Sequence, residues 1–90
     1  MEQKFLAQLE ENRQKATALG IRIRPIEDLK QAKRLLSGSR TSDGFGDLQG
    51  KGQLKLSLEA LAVDKRFTSL FTDDEANTAL LRLLDAGYRF

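Results

Sequence analysis

Apolar side chains recur at helical spacing in both halves of the chain and thin out between them. In residues 2–19, Phe5, Leu9, Ala16 and Leu19 fall on one stripe with Asn12 inside it, which predicts an amphipathic helix. Glu11 and Lys15 make a favourable i,i+4 pair on its outer side, and Gly20 supplies a stop. The run Ile21-Arg22-Ile23-Arg24-Pro25-Ile26 alternates like a short strand. Pro25 turns Arg24 away from helical geometry and suits the first turn of a second helix, expected over about 25–36. Its apolar face is Ile26, Leu29, Ala32 and Leu36. Glu27 and Asp28 at one end and Lys33 and Arg34 at the other match the helix dipole.

Past the middle, helical spacing returns. Leu54, Leu56 and Leu58 alternate, but Leu58, Leu61 and Ala62 favour a helix with Ser57 as N-cap. Phe67, Leu70 and Phe71 predict a further helical turn. Thr72-Asp73-Asp74-Glu75 reads as a capping box ahead of a helix that carries Ala76, Ala79, Leu80, Leu83, Leu84 and Ala86 and closes at Gly87. Tyr88 or Phe90 is then placed to fold back on that helix. The pattern as a whole predicts a mainly α, small single-domain protein of about four helices, with a glycine-rich central loop and room for one short strand pair.

Between the helical stretches, residues 38–52 hold five of the seven glycines. Glycine adopts backbone conformations closed to other residues, so such a segment raises the question of a phosphate-binding loop. Neither familiar pattern is complete. For a Walker A loop, Gly50-Lys51 is present, but Phe45 stands where the first glycine belongs and Gly52 replaces the magnesium-binding hydroxyl. For a dinucleotide fingerprint counted from Gly44 and Gly46, Gln49 occupies the third glycine position. The segment is therefore read as a flexible connector over 38–53, joining helical halves at 1–37 and 54–90. Phe45, its one large apolar residue, either folds back onto the core or serves as an exposed anchor for a partner.

Charge sharpens the division. Residues 1–40 carry nine basic and five acidic side chains, whereas residues 57–90 carry four basic and six acidic, although the whole chain is only +2. The first half is thus basic and the second acidic, an asymmetry able to steer association. Lys30, Lys33 and Arg34 share one side of the second predicted helix, and Arg40 flanks it. These cations suit phosphate contacts, so nucleic-acid binding is the alternative reading. Glu27 on the same side and the lack of an interleaved aromatic count against it. A helix-turn-helix reading of the C-terminal part requires a tighter turn, and three carboxylates would open its reading helix.

The chain has no cysteine and no histidine, which excludes disulfides, Cys/His zinc sites and Ser-His or Cys-His nucleophile pairs. Its neighbouring carboxylates are explained by capping and helix surface, so no catalytic, cofactor or metal residues are assigned and no enzyme activity is expected. No apolar run approaches the roughly 20 residues that cross a bilayer, and the first residues lack a secretory pattern, so a cytoplasmic location is expected. The expected function is a small non-enzymatic interaction or regulatory module that binds another protein or itself. Its candidate contact residues are Lys30, Lys33, Arg34, Arg40, Phe45, Tyr88 and Phe90.

Overall fold

The computed structural model describes residues 1–88, so the candidate contact residue Phe90 lies outside the described residues. Five α-helices follow one another: α1 Glu2–Ala18, α2 Leu29–Ser37, α3 Phe45–Gly50, α4 Leu58–Ala62 and α5 Asp73–Asp85. Two 3-10 turns, Leu54–Leu56 and Thr68–Leu70, join the later elements. The protein is mainly helical, with one helix more than the periodicity predicts and no strand among the described residues.

Several helix ends have a clear chemical cause. The predicted capping box is formed at α5: the Thr72 hydroxyl accepts the Glu75 N–H at 3.2 Å, and the Glu75 carboxylate accepts the Thr72 N–H at 2.8 Å. Ser57 caps α4 by accepting the Ala60 N–H at 3.1 Å. At the far end of α5, Tyr88 N–H bonds Leu83 C=O and Gly87 N–H bonds Leu84 C=O, the paired pattern of a Schellman cap. Ile21 and Gly20 close α1 onto Ala16 and Thr17 in the same way. The chain turns there, which leaves Leu19 exposed rather than on the buried stripe of Phe5, Leu9, Asn12 and Ala16.

Two expectations are corrected. The second helix starts at Leu29, not near Pro25, because Asp28 is extended and its carboxylate accepts the Gln31 N–H at 2.8 Å. A side-chain acceptor three residues before its donor makes Asp28 the N-cap rather than a first-turn residue. The alternating run at 21–26 does not pair as a strand. Pro25 has no N–H to donate, and the Arg24 N–H goes to the Asp43 carboxylate at 2.8 Å instead of to a neighbouring strand.

The larger correction concerns the glycine-rich middle. Residues 45–50 form α3, which buries Phe45 and Leu48 to 4 % and 0 % exposure. Gly44 makes this possible. It sits at φ +77°, and a β-carbon there would lie 2.7 Å from Cγ1 of Ile23, so the position requires both left-handed geometry and no side chain. Gly52, at φ +67°, ends α3: its N–H bonds Gln49 C=O while the Gln53 N–H bonds Leu48 C=O. These glycines terminate a helix rather than loosen a connector.

The apolar side chains gather into two clusters. The first joins Phe5 and Leu9 of α1, Ala32 and Leu36 of α2, Leu58, Leu61 and Ala62 of α4, Phe67, Phe71, and Ala79 of α5. Phe5 meets Phe67 and Phe71 edge-to-face at 5.5 and 5.3 Å between ring centres, a favoured aromatic geometry. The second joins Ala16, Ile21, Phe45, Leu48, Leu54, Leu56 and Leu83. Val63 packs against both.

Candidate functional site

The most enclosed polar group is Glu59. The α4 helix is only five residues long and is packed on nearly every side, so Leu58, Glu59, Leu61 and Ala62 are all buried. Glu59 is 0 % exposed. Its carboxylate accepts the Ser42 N–H at 2.8 Å, the Ser42 hydroxyl at 2.5 Å and an Arg82 Nη1–H at 3.1 Å. Arg82 of α5 also donates to Gly38 C=O at 2.7 Å and to Leu35 C=O at 3.4 Å, the carbonyl end of α2. A cation there satisfies helix-end carbonyls and complements the dipole. Four parts of the chain thus meet at one buried ion pair: the end of α2, the loop at 38–42, α4 and α5. Among the described residues no buried side-chain nitrogen or oxygen lacks a partner. With its valences filled and no open face, Glu59 is arranged to hold the fold rather than to take a proton from a substrate.

Beside this node lies a cleft of about 270 Å³. Its floor is apolar, built from Leu9, Ile23, Ile26, Leu35, Leu56 and Leu58. Polar groups line its rim, among them Glu10, Arg13, Arg24, Thr41 and Asp43. Glu10 and Arg13 form an ion pair one helical turn apart on α1. The hydrogen bonds from Arg13 hold the Glu10 carboxyl below its ordinary value. Asp43 is bound to the rim by the Arg24 backbone N–H. Among the described residues Asp and Glu side chains nowhere gather in threes close enough to share a metal ion.

The residues singled out from sequence separate into distinct places. Phe45 takes the core position of its two alternatives, inside the second cluster. Lys33 is engaged: its ammonium bonds the Glu75 carboxylate at 3.1 Å, tying α2 to α5, and lies 5.6 Å from the centre of the Phe71 ring. Lys30, Arg34 and Arg40 remain exposed. Tyr88 is half-buried and packs against the second cluster, the apolar contact expected of a Schellman cap.

Sequence reasoning missed Glu59, Arg82 and Ser42 as a unit. A signal was present. Glu59 stands within Leu58-Glu59-Ala60-Leu61-Ala62 and Arg82 within Leu80-Leu81-Arg82-Leu83-Leu84, opposite charges each embedded in an apolar run. Charges so placed are rarely buried unless paired. The Ser42 contact had no such signature.

The outer side of α5 carries the other departure from a well-covered surface. Leu81 is 61 % and Leu84 52 % exposed, one turn apart, with exposed Asp74 and Asp85 on either side along the helix. No helix among the described residues is long and apolar enough to cross a membrane. No protein-family model, curated protein or solved structure matches the chain.

Proposed function

We propose that the protein is a small non-enzymatic interaction module that docks a basic amphipathic segment of another protein on the outer face of α5. The observation that carries this reading is the pair Leu81 and Leu84, exposed side by side and bracketed by Asp74 and Asp85. Two apolar side chains between carboxylates complement a helix that presents leucines ringed by lysine or arginine. The patch is small, so the contact belongs to the weak, transient class. Engagement of Lys33 by Glu75 takes one of three cations from the face that a nucleic-acid reading would use, and so favours the protein partner.

Titration with a synthetic Leu/Lys amphipathic helix tests the reading, with a Leu/Glu helix of the same length as control. The Leu/Lys peptide is expected to bind, and the Leu81→Ser/Leu84→Ser variant to lose binding while keeping its thermal midpoint. Failure of the Leu/Lys peptide to bind, or equal binding by the Leu/Glu peptide, overturns the proposal. Sedimentation of the free protein separates the self-associating form: oligomers that persist in the double variant would put the contact elsewhere and overturn the assignment to α5.

A further inference from the structure

The cleft between α1, the extended segment at 21–27 and the loop at 41–43 has a polar rim whose groups are unequally spent. Glu10 is occupied by Arg13. Gln31 accepts the Glu27 N–H and donates to Pro25 C=O. The Ser42 and Ser57 hydroxyls are turned to Glu59 and to Leu54 C=O. Two rim charges are left without a counter-ion among the described residues: the Arg24 guanidinium and the Asp43 carboxylate, both exposed. They are held as neighbours because one Asp43 oxygen accepts the Arg24 backbone N–H at 2.8 Å, which leaves the other oxygen and the whole guanidinium unengaged among the described residues.

A cation and an anion at the mouth of an apolar cleft define a narrow ligand class. We infer that the cleft binds a small zwitterion with an apolar body, an α-amino acid of leucine or phenylalanine type. Its carboxylate meets Arg24, its ammonium meets Asp43, and its side chain lies on Ile23, Ile26 and Leu56. A guanidinium presents paired N–H donors matched to a carboxylate. The volume of about 270 Å³ lies just below the range of pockets that hold drug-sized molecules, which suits a ligand of about ten heavy atoms. A fatty acid would leave Asp43 facing its carboxylate, and a cationic amine would face Arg24, so molecules bearing one charge fit less well.

The experiment is an NMR titration of the full chain with L-leucine and L-phenylalanine, beside N-acetyl-L-leucine, which lacks the ammonium, and L-leucinamide, which lacks the carboxylate. Saturable shifts are expected at the amides of Ile23, Arg24, Asp43 and Leu56, with millimolar affinity, and each single-charge analogue is expected to bind about 10-fold more weakly. Arg24→Gln should weaken leucine about 10-fold without weakening leucinamide, whose ammonium no longer faces a like charge. Asp43→Asn, which keeps an acceptor for the Arg24 N–H, should weaken leucine without weakening N-acetyl-leucine, whose carboxylate no longer faces a like charge. Absence of saturable shifts at about 100 mM amino acid, or equal binding of the analogues, overturns the inference. So does binding by octanoate without binding by leucine.

Discussion

The first apolar cluster takes Phe5 and Leu9 from α1, Ala32 and Leu36 from α2, and Phe67 and Phe71 from the segment before α5. The second takes Phe45 and Leu48 from a helix of six residues, Leu54 and Leu56 from a 3-10 turn, and Ile21 from an unpaired extended segment. One is assembled from helix faces and rings that meet edge-to-face. The other is assembled from short turns whose shape depends on glycines and caps. Small apolar units of the second kind cannot form alone, since a helix of six residues is far below the length that holds itself in water. Tertiary contact must supply what local propensity lacks. The buried pair Glu59 and Arg82 lies where the two meet, because α4 serves the first cluster while Ser42 leads into α3 of the second.

The largest expected effects come from emptying either cluster. Phe5→Ala removes a fully buried ring that touches two others and should cost about 3–5 kcal/mol. Phe45→Ala should cost about 3 kcal/mol or more if the second cluster is as well packed as the first. A domain of this size holds about 5 kcal/mol in all, so each variant should lose more than half of its stability and unfold at a much lower urea concentration than the parent. Urea unfolding followed by helical circular dichroism and by Tyr88 fluorescence decides whether the clusters act together. Coincident transitions in both variants mean one cooperative unit. If Phe45→Ala melts early by fluorescence while the helical signal holds, the glycine-built cluster is a separate, weaker unit.

The node between them comes next. Arg82→Met leaves the Glu59 carboxylate buried with only Ser42 to serve it, and should cost about 3 kcal/mol or more. Replacing both charges, as Glu59→Leu with Arg82→Met, should restore part of the loss, because it removes the unpaired buried charge but takes the acceptor from the Ser42 N–H and hydroxyl. A double variant no more stable than Arg82→Met would contradict that account. It would also mean that the contacts from Arg82 to Gly38 C=O and Leu35 C=O contribute more than the ion pair.

Two glycine substitutions separate backbone strain from close packing inside the second cluster. At Gly52, where a β-carbon meets nothing within 4 Å, Gly52→Ala should cost only the left-handed strain of about 1–2 kcal/mol. Gly44→Ala has a similar φ and adds the collision with Ile23, so it should cost about 1 kcal/mol more and disturb the Ile23 environment. Equal losses in thermal melts would show that Ile23 moves aside without cost.

These effects also mark what could be read from the chain. The first cluster was visible because α1, α2 and α5 each bury a stripe at helical spacing, and because Thr72 and Glu75 announce a helix start within four residues. The second was not. Six residues give barely two turns, too few for Phe45 and Leu48 to reveal a period, and their glycines have the composition of a loop. The start of 45–50 depends on Ile23 packing where a Gly44 β-carbon would lie, a contact across 21 residues that no local window contains. The same holds for the candidate surfaces. Exposure of Leu81 and Leu84 follows from which side of α5 meets α4 and α2, and a broad apolar arc does not disclose that side. Tyr88 was the exception, since a glycine stop followed by an aromatic residue carries its own local geometry.

The smallest effect tests the link between α2 and α5 through pH. Burial acts to raise the Glu75 carboxyl, but the Thr72 N–H, the Lys33 ammonium and the Thr72 hydroxyl outweigh it, and the group sits below its ordinary 4.5. A carboxyl lowered by folding stabilises the native state above its unfolded value, and that stabilisation disappears as pH falls through the folded one. Glu75→Gln should therefore cost about 1 kcal/mol near neutral pH, and the difference from the parent protein should close below about pH 4. Glu10 and Asp64 are held down by hydrogen bonds from Arg13 and Arg66 and still titrate in the variant, so acid sensitivity should be reduced rather than abolished. Lys33→Met should reproduce part of the same flattening, because Glu75 then keeps only its capping role. Urea unfolding at pH 7, 5 and 3 checks this. A Glu75→Gln loss that stays constant across the three would mean that the capping geometry, and not the carboxylate charge, joins the acidic start of α5 to α2.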